Sequence, residues 1–91
     1  MSFESSKIED FLAHFETYKQ DIRNFEGCEF LELYRDRNQT NVFFTYSFWN
    51  KEEDLERYRQ SNMFKSVWSN TKPMFNAKPE AWTVEKIVSL E

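Results

Sequence analysis

His14 is the only histidine in this chain of 91 residues, and its ordinary pKa lies near neutrality. That makes it the one side chain ready to take or give a proton at physiological pH. Helical spacing sets it at the edge of an apolar stripe, beside Tyr18 and Phe25, where it suits a base at the mouth of a pocket. The same place equally suits a half-exposed boundary residue. Cys28 is the only cysteine, and no neighbouring Lys or His in sequence would activate it, so it reads as a small packing residue. One histidine and one cysteine cannot build a zinc site or a two-histidine iron site within one chain. No metal is therefore expected; a metal or haem would have to lean on carboxylates or on a second subunit.

The positions around these residues set further limits. A lone cysteine excludes an intrachain disulfide and fits a reducing cytoplasm. The net charge of −4, with basic residues scattered among acidic ones, argues against a nucleic-acid surface. No apolar run approaches the roughly 20 residues of a membrane span, and the polar, acidic N-terminus does not resemble a signal peptide. With one glycine and two prolines there is no room for a linker or a Gly-rich phosphate loop. Residues 1–91 read as a single ordered domain whose core leans on an aromatic content of 19%.

The elements that must position His14 follow from periodicity. Ser6 and Glu9 have capping-box spacing. Ile8, Phe11, Leu12, Phe15, Tyr18, Ile22 and Phe25 then predict an amphipathic helix of about five turns, with Gly27 at its left-handed cap. Cys28 to Tyr34 and Val42 to Trp49 predict two strands joined by the polar turn Asp36–Asn41, an antiparallel hairpin. Asn50, with Glu53 reciprocating, is placed to cap the next helix. Ser61 marks a second cap before Phe64, Val67, Trp68 and Thr71, and Pro73 ends or kinks that helix. Pro79 precedes a last predicted strand, Ala81 to Val88. The order is that of an α+β, ferredoxin-like βαββαβ sandwich with an antiparallel sheet, its first strand largely missing or truncated. Only Met1–Glu4 remains for that central strand, so the sheet should carry a seam that its neighbours close or another chain fills.

Alternation puts Val42, Phe44, Tyr46 and Phe48 on one face of the second strand and Phe43, Thr45, Ser47 and Trp49 on the other. With helices over the first set, the second face should be polar, yet it carries Phe43 and Trp49. Too few helices exist to cover both faces, which predicts a homodimer packed through the sheet face. Scatter of exposed apolar residues is the plainer alternative.

The segment FFTYSFW, followed by EEDLERYRQSNMFKSVW and then KPEAWTV, resembles the antibiotic biosynthesis monooxygenase family. The capped first helix and NFEGCEFLEL support the resemblance, which covers nearly the whole chain. It implies a dimeric α/β barrel that oxidises a quinol-like or polycyclic phenolic molecule with O₂ and uses no cofactor. Such chemistry needs a dry aromatic pocket and a proton acceptor. The resemblance casts His14 as that acceptor, Tyr58 as a hydrogen-bonding partner for a phenol, and Trp49, Phe64 and Trp68 as the flat walls. Asn41 and Ser47 could orient the ligand. Core packing and ordinary turn and strand chemistry account for the same residues. Haem-degrading members have a tryptophan where Tyr58 stands and a ligating histidine where Trp68 stands, so haem chemistry is the least expected. Quinol-oxidising and furanone-isomerising members often carry histidine at the Tyr58 position. The alternative to an oxygenase is a non-catalytic dimer of the same fold that binds a small ligand.

Overall fold

A computed structural model describes residues 1–91. Helix α1 spans Ile8–Arg23, strand β1 Cys28–Arg35, strand β2 Phe43–Trp49, helix α2 Glu52–Arg59 and helix α3 Asn62–Thr71. Short 3-10 turns at Ser5–Lys7 and Lys72–Met74 flank them.

Helix α1 forms because its apolar side chains recur on one face, burying Phe11, Tyr18 and Ile22. The expected capping box does not form: the Ser5–Lys7 turn intervenes, the helix starts at Ile8 rather than directly after Ser6, and Lys7 at its N-cap offers no side-chain bond. Gly27 does adopt a left-handed φ of 91°. A Cβ there would overlap the side chain of Asp54, so two reasons require glycine. Asn50 does not cap α2; Lys51 occupies that position without a side-chain bond. Ser61 caps α3 as expected, its Oγ accepting from the Phe64 N–H at 3.1 Å and donating to the Tyr58 carbonyl at 2.6 Å. Helix α3 ends at Thr71, two residues before Pro73.

Strands β1 and β2 pair antiparallel, from Arg35 opposite Phe43 to Cys28 opposite Trp49, with a bulge between Cys28 and Phe30. The turn joining them is held by the Asp36 carboxylate, which accepts from the Asn38 and Gln39 amides at 2.8 and 2.9 Å. Those bonds favour the charged form and lower its pKa. On the far side of β2 lies what remains of the first strand. Met1 exchanges two backbone bonds with Phe43, both 2.8 Å, and Ser2 bridges Val42. Phe3 in turn bridges Phe75. The spatial order is thus Phe75, the N-terminal residues, β2, β1, which is the ferredoxin-like order with its first two members, one edge and the central strand beside it, abbreviated.

The strand expected over Ala81–Val88 does not form; those residues carry no regular secondary structure and are exposed. A strand exists by pairing its backbone, and the N-terminal remnant offers a neighbour only as far as Phe75.

Phe3, Phe11 and Phe43 make one core cluster and Tyr18, Ile22 and Tyr58 a second. Each fully buried phenylalanine contributes about 1.5–3 kcal/mol. The two faces of β2 are assigned opposite to expectation. Phe43 and Trp49 lie under the helices, packed with the clusters, whereas Phe44, Tyr46 and Phe48 are 38–48% exposed. Phe43 decides this, because its ring meets Phe3 and Phe11 and so sets the odd positions on the helix side, where Ser47 and Trp49 are half-buried and Thr45 stays exposed. The wet face is therefore more aromatic than the expected one, as Phe30, Tyr46 and Phe48 form a ring cluster in the open.

Candidate functional site

The helix face of β2 ends at Trp49, where the aromatic residues of α2 and α3 converge. Trp49 lies stacked on Tyr58, with 5.0 Å between centroids and 28° between planes. Phe25 and Phe64 meet Tyr58 edge-on at 5.3 and 5.1 Å. Phe64 stacks on Trp68 at 6.1 Å and 8°, and Trp68 reaches Phe75. This chain of rings is a consequence of spacing: Phe64 and Trp68 are four residues apart on α3, and Ser61 fixes where that helix starts. Three of the walls expected from sequence, Trp49, Phe64 and Trp68, therefore lie in one connected aromatic group around Tyr58.

Burial pushes the Tyr58 hydroxyl pKa up to about 12, with Tyr18 and Cys28 adding to the rise. Tyr58 is a neutral phenol at physiological pH, able to hydrogen-bond but not to serve as a base. Tyr18 is buried as well, and its pKa is also raised, mainly by burial. Its hydroxyl lies 3.4 Å from Thr71 Oγ1. Since Thr71 already donates to the Val67 carbonyl at 2.7 Å, Tyr18 is the donor of that bond.

His14 meets the Tyr18 ring edge-on at 4.4 Å. Its Nε2 is buried without a hydrogen-bond partner, the sole side-chain nitrogen or oxygen in that state. Leaving a buried polar atom unpaired costs about 1–3 kcal/mol. The Tyr18–Thr71 pair beside His14 has one signal in the residue order, the helical spacing of Thr71 behind Val67.

Of the two polar candidates, Ser47 touches this group through Trp49 and Asn41 stands apart from it. Ser47 Oγ accepts from Trp49 Nε1 at 3.0 Å and so fixes the indole. Asn41 is at the opposite end of β2, its Nδ2 donating to the Phe3 carbonyl at 3.0 Å. Both are half-buried. Ser47 and Trp49 also line a cleft of about 560 Å³ together with Phe48, Leu55 and Val84. No three His, Cys, Asp or Glu side chains gather into a metal-binding cluster. No helix is long and apolar enough to cross a membrane.

Comparison with known proteins agrees with this architecture. A structure from Bordetella bronchiseptica that bears the antibiotic biosynthesis monooxygenase name superposes with a TM-score of 0.85 at 17% identity, covering 97% of this chain and 91% of that one. One from Deinococcus radiodurans with the same name gives 0.82 at 13% identity, covering 99% and 91%. A conserved protein from Methanosarcina mazei Go1 gives 0.81 at 16% identity, covering 87% and 78%. At such identities the likeness concerns the fold. Among curated proteins none matches. The sequence profile of the antibiotic biosynthesis monooxygenase family matches residues 1–68, three quarters of the chain and nearly every residue of the aromatic group, and the chain belongs to that family.

Proposed function

We propose that this protein is a cofactor-independent monooxygenase that acts as a homodimer on a quinol-like or polycyclic phenolic molecule. The observation that carries the reading is the unpartnered Nε2 of His14 next to a buried aromatic group. An oxygenase with neither metal nor flavin must use its substrate as the reductant, and a phenol becomes reducing once it loses a proton. His14 Nε2 is the acceptor. The resulting anion passes one electron to O₂, the radical pair recombines with formation of a C–O bond, and the peroxide anion so formed takes back the proton held on His14 to give a hydroperoxide. Where the oxidised carbon began as a CH₂ between aromatic rings, the hydroperoxide loses water to leave a carbonyl. One oxygen atom enters the product and the other departs in water. Tyr58, held neutral, donates to the developing oxyanion, and Trp49, Phe64 and Trp68 exclude water. The exposed Phe44, Tyr46 and Phe48 support pairing through the sheet face, and the lone cysteine supports a cytoplasmic location.

Oxygen consumption with hydroquinones and anthrones in chelator-treated buffer tests this. Uptake by the wild type, lost in His14→Ala, is expected. No uptake above buffer by the wild type overturns it. The dense ring packing around Tyr58 favours one other reading, a ligand-binding dimer without catalysis, for which quenching of tryptophan fluorescence without oxygen uptake is the signature.

A further inference from the structure

A base works only while its free nitrogen points at the substrate, so something must hold the ring of His14. A hydrogen bond to Nε2 would hold it and also block it, and Nε2 has none. Asp10, one turn earlier on α1, pairs with Lys7 at 3.8 Å instead of the imidazole. Orientation is left to packing.

That packing comes from Tyr18. It follows His14 by four residues, and helical side chains lean back toward the N-terminus, so its ring falls over the turn that carries the imidazole. The two rings meet edge-on, 4.4 Å apart with 71° between planes. Phe15 also meets the tyrosine edge-on, at 5.7 Å and 73°. Tyr18 is itself fixed at its far end. Its ring is buried, and its hydroxyl donates to Thr71 Oγ1 at 3.4 Å. Thr71 is only 3% exposed and is tied back to the Val67 carbonyl at 2.7 Å. The last turn of α3 thus grips the tyrosine that bears on the histidine of α1. Because that hydroxyl is engaged, and burial raises its pKa, Tyr18 is neither a base nor a partner for Nε2.

We propose that Tyr18 is the positioning residue for His14, with Thr71 acting through it, so that the end of α3 sets the orientation of the base on α1. The proposal rests on His14 being the proton acceptor, but the orientation of its ring exists, and is measured, without substrate. Neither Tyr18 nor Thr71 is assigned contact with the reacting atoms. Their contribution is to the fraction of time that Nε2 points the right way. The anchor is one long hydrogen bond, so its loss should matter less than loss of the ring.

The test has two arms. In the first, three-bond couplings and carbon relaxation of the His14 ring are measured by NMR in the full chain without substrate. Dispersion of the amide spectrum checks that each variant is folded. One side-chain rotamer is expected in the wild type and in Thr71→Ser, and averaging over rotamers in Tyr18→Leu, with Thr71→Val between them. A single rotamer kept in a folded Tyr18→Leu overturns the proposal. Rotamer populations in Thr71→Val equal to those of the wild type overturn it as well, and decide the matter if Tyr18→Leu does not fold. In the second arm, oxygen uptake with anthrone should show kcat lowered roughly 10- to 100-fold in Tyr18→Leu, with KM within about twofold of the wild type. Thr71→Ser should recover what Thr71→Val loses. A rise in KM at unchanged kcat overturns positioning. Absence of uptake in the wild type removes the oxygenase reading alone, and the first arm still decides whether Tyr18 holds the ring.

Discussion

Trp49 and Tyr58 lie nearly parallel, 5.0 Å apart, and join the end of the hairpin to the second helix. Their contact sets the relation between sheet and helices at the aromatic group. Tyr58→Ala should therefore destabilise the protein by about 3–5 kcal/mol in urea denaturation, as for other buried aromatic truncations. Tyr58→Phe keeps the rings in place and should cost under about 1 kcal/mol. On the proposed function, Tyr58→Phe should nevertheless lower the rate of oxygen uptake.

The raised pKa of Tyr58 has a consequence at alkaline pH. An unfolded tyrosine loses its proton near pH 10, whereas in the folded chain Tyr58 keeps it until about 12. Between those values the unfolded state binds fewer protons, so stability falls as pH rises through that window and is unaffected by this group below it. Tyr58→Phe should remove its share of the fall. Midpoints of urea denaturation at pH 9, 10 and 11 measure the difference.

His14 separates stability from activity. His14→Phe removes an unpaired buried nitrogen and should leave the melting temperature unchanged or raise it, by no more than about 1–3 kcal/mol of stability. Oxygen uptake should vanish in the same variant. A variant that melts earlier and retains full uptake would contradict both assignments.

Gly27 admits no side chain. Its left-handed backbone and the overlap of any Cβ with Asp54 should make Gly27→Ala cost at least about 2 kcal/mol. Asp54 is buried and paired with Arg57 at 3.0 Å, which restricts its escape. Asp54→Gly in the same chain, which removes the overlapping Cβ together with the carboxylate, should recover part of the loss.

The caps can be ranked by one measurement. Ser61→Ala should cost about 1 kcal/mol, since it removes the bond from the Phe64 amide. Ser6→Ala and Asn50→Ala should each change stability by under about 0.5 kcal/mol, because neither side chain caps its helix.

These contrasts show what the residues reveal before folding. Phe11, Tyr18 and Ile22 announce α1 by spacing alone, and Gly27 announces its own backbone conformation. The Ser6 and Asn50 caps fail because spacing cannot tell which residue begins a helix when a 3-10 turn or an extended residue intervenes. Alternation divides β2 into two faces but does not say which is inside. That choice comes from Phe3, distant in sequence, docking its ring on Phe11 and Phe43. The last strand fails for the same reason, its pairing being a property of its neighbour. At the candidate site, the Trp49–Tyr58–Phe64–Trp68 group follows from helical spacing. The missing hydrogen-bond partner of His14 Nε2 depends on what surrounds it in space and leaves no trace in the residue order.

Phe3 is completely buried, and it bridges Phe75 across almost the whole length of the chain. Its ring lies against Phe11 and Phe43 as well as Phe75, so one side chain gathers a helix, a strand and the segment after the last helix. Burial of that ring is complete only once residue 75 has been made, and the cooperative unit closes when these distant segments meet.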